Sequence, residues 1–138
     1  MNEDFVNFEI AKKLKEKGFR GKCLAHYFQE ELSQNICQFR GVAMDDLLMS
    51  YNSLSEVKDL YPNYKDVIDA PTISQVLKWL REEKKYHITI DIWGRTWGYD
   101  IIELTSGYSA HWAAYEKEIN TYEEAALAGI DYTLDNLI

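Results

Sequence analysis

Ile10, Ala11 and Leu14 form a narrow apolar stripe, and the spacing predicts a helix from about Asn7 to Lys17. Asn7 is its N-cap candidate, because a short polar side chain can accept from a free N–H of the first turn. Gly18 fits the left-handed position just past the helix end. Phe19 then falls where a Schellman motif sets its hydrophobic contact with Leu14. The lysines of the last two turns suit the negative end of the helix dipole.

The pattern from Pro71 onward is equally regular. Thr72 and Gln75 make a capping box after a proline, and Ile73, Val76, Leu77 and Leu80 repeat with period 3.6, so a helix is expected to run to about Lys85. The period then changes to two. Ile88, Ile90 and Ile92 alternate with His87, Thr89 and Asp91, as in a half-buried strand. Gly94-Arg95 reads as the two-residue loop of a type II′ hairpin. That loop fixes a register: Ile92 opposite Trp97, Ile90 opposite Tyr99 and Ile88 opposite Ile101 on one face. Asp91 falls opposite Gly98, and Thr89 opposite Asp100, on the other. Thr105-Ser106-Gly107 offers a second turn into a third strand, about Ala110 to Glu116. In the simplest register His111 shares the core face with Ile101, whereas a bulge at Ile101-Ile102 would reverse this. Thr121 with Glu124 opens the last helix, whose apolar face is Ala126, Ile130, Leu134 and Leu137. Ala125 and Gly129, four apart, predict a close backbone approach, since glycine costs a helix roughly 1 kcal/mol relative to alanine.

Residues 20–70 are less regular. Lys22 to Gln29 reads as a strand, with Leu24, His26 and Phe28 on one side and Cys23, Ala25 and Tyr27 on the other. Ile36 to Arg40 is expected to pair with it across a Glu30–Asn35 connection. Val42, Leu47, Leu48 and Tyr51 fit a short helix. Ser53-Leu54-Ser55-Glu56 opens another turn to about Leu60, and Tyr61-Pro62-Asn63-Tyr64 ends it. The expectation is an α+β protein: an antiparallel sheet with helices packed on one face and the C-terminal half in α-β-β-β-α order. The whole of 1–138 is expected to be one domain, with an N-terminal helix and variable part over 1–70 and the α-β-β-β-α part over 71–138.

Composition narrows the function more than the fold. No apolar run approaches the roughly 18–20 residues of a membrane span, and Met1-Asn2-Glu3-Asp4 lacks signal-peptide chemistry, so a cytoplasmic protein without a membrane partner is expected. A net charge of −8 argues against duplex binding, which needs surplus Lys and Arg for phosphate contacts. The charge is unevenly placed, +5 over residues 12–22 and −7 over residues 96–138. Two solvated faces, or electrostatic docking between the chain ends or onto a charged partner, both account for this. Cys23 and Cys37 fit reduced thiols. Cys23 and His26 make only a two-ligand fragment where structural zinc requires four ligands, so no metal or other cofactor is expected.

Three runs carry a resemblance: Phe8-Glu9-Ile10-Ala11-Lys12-Lys13-Leu14-Lys15-Glu16-Lys17-Gly18-Phe19, the stretch from Ala70-Pro71-Thr72-Ile73 to Glu82-Glu83-Lys84, and Tyr122-Glu123-Glu124-Ala125-Ala126-Leu127-Ala128-Gly129-Ile130. In these the chain resembles a group of small acidic proteins of gut bacteria, associated with prophages and other mobile elements. Residues 28–50 depart from that group's pattern. The resemblance implies a cytoplasmic protein tied to a mobile element, and it supplies no activity, cofactor or site residue. The α-β-β-β-α order is also that of double-stranded-RNA-binding domains. Their last helix begins with lysines, however, and this one begins Thr121-Tyr122-Glu123-Glu124, which repels phosphate.

No glycine-rich phosphate loop, H-E-x-x-H or G-x-S-x-G occurs, and Asp45-Asp46 and Glu82-Glu83 are sequence neighbours, which point about 100° apart on a helix. An enzyme is therefore not the expected reading. Aromatic residues are the more informative feature. If the helices cover the Ile88/Ile90/Ile92 face, with Trp97 and Tyr99 in the core, then Trp93 and Trp112 stand on the open face with Asp91 and Asp100. These four are the candidate interaction surface. The leading reading is a non-enzymatic interaction or regulatory protein whose partner is another protein or a second copy. One alternative is an acidic nucleic-acid mimic that inhibits a host DNA-binding enzyme. The other is a small-molecule-binding domain around Cys23, His26 and His87.

Overall fold

The computed structural model describes residues 4–21, 23, 25–28, 31–33, 67–115 and 119–138. The chain is an α+β protein that separates into two compact units, Met1–Thr72 and Ile73–Ile138. Among the described residues no helix is long and apolar enough to cross a membrane.

The first unit holds helix α1 (Phe8–Glu16) and strands β1 (Ala25–Phe28), β2 (Glu31–Ser33) and β3 (Val67–Ala70). The ends of α1 follow from single residues. Asn7 Oδ1 accepts from the Ile10 N–H at 2.9 Å. At the other end Gly18 has φ +87°, and the Phe19 N–H donates to the Leu14 carbonyl at 3.0 Å. Glycine adopts that left-handed turn without steric cost, and the turn satisfies carbonyls the helix leaves open. Ile10, Ala11 and Leu14 are buried, as their spacing predicts.

The sheet of this unit is antiparallel in the order β2-β1-β3, with His26 opposite both Ser33 and Asp69. Two expectations need correction here. The strand that pairs with β1 on one side is Glu31–Ser33, inside the segment expected to be a connection. On the other side β3, which the apolar pattern did not reveal, pairs over four residues. A three-residue strand is too short to show a period, and Val67-Ile68-Asp69-Ala70 shows no alternation. The expected elements at 36–40, 42–51 and 53–60 lie outside the described residues.

The second unit runs α2 (Ile73–Glu83), β4 (Tyr86–Trp93), β5 (Thr96–Glu103), β6 (Ser109–Ala113) and α3 (Tyr122–Asn136), the α-β-β-β-α order. Its sheet is antiparallel in the order β4-β5-β6, with both helices against one face. The hairpin register is the one fixed by the loop: Ile92 pairs with Trp97, Ile90 with Tyr99, Ile88 with Ile101. Gly94 carries φ +67° while Arg95 does not enter positive φ, the type II′ combination. Ile88, Tyr99 and Ile101 are buried beneath α3 together with Ile130 and Leu134. Gly129 allows that approach, because a Cβ there would stand 3.0 Å from Ile88 Cγ2 and 3.2 Å from the Tyr99 ring. Thr121 Oγ1 accepts from the Glu124 N–H at 3.1 Å, and the Glu124 carboxylate accepts from the Asn120 N–H at 3.0 Å.

Two details depart from the expected pattern. Ile92 was expected under the helices with Ile88 and Ile90 but is 52% exposed, because cover ends short of the hairpin tip. The register does shift between Ile101 and Ile102, yet His111 still lies opposite Ile101. The tight turn sets Ser109 opposite Ile102, and without the shift Ala110 would meet Ile101. The additional residue therefore turns His111 toward the helices instead of away from them. There its imidazole stacks on the Tyr132 ring at 3.7 Å, nearly parallel.

Candidate interaction face

Strand alternation places Asp91, Trp93, Gly98, Asp100 and Trp112 on the face of the second sheet that α2 and α3 leave bare. The structure thus brings the four candidate residues onto one surface, but they differ in availability. Trp112 is 59% exposed and lies directly opposite Asp100, so their Cβ atoms are separated by about 5 Å. Asp100 is half-buried, and one of its carboxylate oxygens accepts from Ser109 Oγ at 2.5 Å. Asp91 is exposed, and its carboxylate accepts from the Ile92 N–H at 2.7 Å. Among the described residues neither aspartate has an ion-pair partner.

Trp93 is half-buried for a local reason. Its ring lies over Gly98, so that a Cβ at position 98 would come 2.9 Å from Trp93 Cε3 and would also collide with the backbone of Ala113. The glycine leaves room that the indole fills, and Trp93 acts as the floor of the face while Trp112 stands out from it.

Two further groups belong to this region. Ser109 holds Asp100, a contact that depends on where the bulge falls and is therefore invisible in the strand pattern. Tyr115, 66% exposed, rests near the hairpin turn, with ring atoms 3.4 Å and 3.8 Å from where a Gly94 Cβ would stand. A tyrosine two residues beyond a strand gives no sequence signal for that placement.

The third set of sequence candidates is divided between the two units, Cys23 and His26 in the first and His87 in the second. Cys23 is buried, and its thiol donates to the Gly21 carbonyl at 3.4 Å. Burial pushes the Cys23 thiol well up, and the negative charge of Asp69 adds to this, so thiolate chemistry is disfavoured. His26 is buried as well, and burial lowers its pKa to about 4, leaving a neutral imidazole at physiological pH. His87 is half-buried on β4 in the second unit. Among the described residues no three His, Cys, Asp or Glu side chains are grouped to hold a metal ion.

Compared with known proteins, the chain matches no family profile, no curated protein and no solved structure.

Proposed function

We propose that this chain is a non-enzymatic interaction or regulatory protein that binds another protein through the bare face of its second sheet. The observation carrying this reading is the exposed Trp112 directly opposite the Asp100 carboxylate, on a surface that neither helix of the unit covers. Tryptophan concentrates binding energy at interfaces because it buries a large rigid area at low entropic cost. The resemblance to small acidic prophage-associated proteins adds a cytoplasmic role linked to a mobile element.

The nucleic-acid-mimic reading has less support. A mimic requires carboxylates in one stripe. Here Asp100 lies on the bare face, whereas Glu123, Glu124, Asp131 and Asp135 ride on α3 against the opposite face.

The test is capture of partners by tagged wild-type chain and by the Trp112→Ala and Asp100→Asn variants, with crosslinks mapped to residues. Loss of a stoichiometric partner from both variants, with crosslinks around Trp112, is the expected result. An undiminished partner yield from both would overturn the reading. Light scattering distinguishes a second copy from a foreign partner.

A further inference from the structure

The partner's chemistry follows from what the bare face presents. Among the described residues, the charged groups that the strands place on this face are Asp91 on β4 and Asp100 on β5, diagonal neighbours across adjacent strands and so about 7–8 Å apart. The other side chains on this face are Thr89, Trp93, Thr96, Ile102, Ser109 and Trp112, together with the imidazole of His87 at the far end of β4. No lysine or arginine of β4, β5 or β6 lies on it. Asp100 is already oriented by Ser109 through one oxygen, which leaves the second carboxylate oxygen for an incoming donor. Half-burial of Asp100 weakens solvent screening, so a cation paired there interacts more strongly than at a fully exposed carboxylate.

Resting on the interaction reading above, we infer that this face docks an arginine-bearing extended segment of a partner protein, with one guanidinium stacked on Trp112 and paired to Asp100. The residue types select arginine over the other cations. A guanidinium is planar, stacks on an indole face and can donate at the same time from its edge to a carboxylate beside that ring. An ammonium is compact and strongly hydrated, and it cannot keep both contacts as fully. Asp91 supplies a second anionic site one diagonal away, which favours a segment with two spaced cations over a single one. Thr89, small and exposed directly opposite Asp100, leaves room beside that carboxylate for an extended backbone, while the Trp93 ring over Gly98 forms the floor next to it.

The purified full chain would be titrated against short dye-labelled peptides alternating glycine with arginine, with lysine or with glutamate, and binding read by anisotropy. The arginine peptide is expected to bind about fivefold or more tighter than the lysine peptide, the margin that stacking supplies. Trp112→Ala and Asp100→Asn are each expected to weaken it by about tenfold. Glu83→Gln, the same charge change at an exposed position of α2, should leave binding as it was, and far-UV circular dichroism with thermal melting verifies that all variants are folded. Equal binding of the arginine and lysine peptides would overturn the inference, since it would mean attraction to a net negative chain and nothing more. So would arginine binding that survives both substitutions, or no arginine binding at all. Capture experiments separate the two levels: a partner lost from Trp112→Ala but crosslinked through an acidic or neutral segment sinks the arginine inference and leaves the interaction reading standing.

Discussion

Strand β1 buries Ala25, His26 and Tyr27 in succession, whereas β5, apart from Gly98 under the Trp93 ring, buries Tyr99 and Ile101 and leaves Asp100 and Ile102 partly open. Both are central strands of three-stranded antiparallel sheets. The difference is whether the second face is covered. Where both faces of a strand are buried, a polar side chain must be held neutral or hydrogen-bonded. Accordingly Tyr27 donates its hydroxyl to the Val6 carbonyl at 2.6 Å, and His26 carries no charge at neutral pH. Where one face is open, carboxylates and an indole can stay in contact with water. Only in the second case is a face left open to a partner, and it is the second sheet that has such an open face.

Substitution of one chemistry at covered and uncovered positions gives the largest contrast. Ile101→Ala removes a fully buried side chain under α3 and should lower unfolding free energy by about 3–4 kcal/mol. Ile92→Ala, on the same side of the sheet but half-exposed, should cost under about 1 kcal/mol. Chemical denaturation of the two variants checks both figures, and equal losses would mean that the helices cover the hairpin tip after all.

The buried histidine predicts a pH effect confined to the first sheet. The folded-state pKa of His26 is lowered from 6.5 to about 4, so the unfolded chain takes up the proton first. Stability from this group is fully present above pH 6.5 and is lost as pH falls toward 4, by about 2–3 kcal/mol at pH 4.5. Denaturation midpoints at pH 7 and pH 4.5 should therefore differ markedly less in a His26→Leu variant. An unaltered pH dependence would place the acid sensitivity elsewhere.

Gly98→Ala tests the floor of the open face. The added methyl would collide with the Ala113 backbone and press on Trp93, and we expect a loss of about 2 kcal/mol with a shift in tryptophan fluorescence. The smallest effect belongs to the exposed indole. Trp112→Ala should change stability by no more than about 0.5 kcal/mol while weakening partner capture, a separation of folding from function that a core residue would not show.

The local rules were legible wherever one residue type has one use. Asn7 caps α1, Gly18 ends it, Gly94 turns the hairpin, and Thr121 starts α3, because each position requires a short acceptor or a positive φ that few side chains supply. The hairpin register followed from the loop length alone, and with it the shared face of Asp91 and Asp100. The period-2 pattern also separated the covered face from the open one, since only one set of β4 positions carries isoleucines, at 88, 90 and 92.

Other features were decided by packing. The pairing of β1 with Glu31–Ser33 and with Val67–Ala70 joins segments about 40 residues apart in one case and a very short strand in the other, and neither carries a periodic signal. The consecutive isoleucines marked Ile101-Ile102 as a place for a bulge, but whether it turns His111 inward or outward, and the contact of Ser109 with Asp100, depend on the register that the turn sets for β6. Periodicity told which positions share a face. How far the helices reach over that face, leaving Ile92 open at the tip, depends on side-chain volumes meeting across elements, and that is a property of the assembled fold alone.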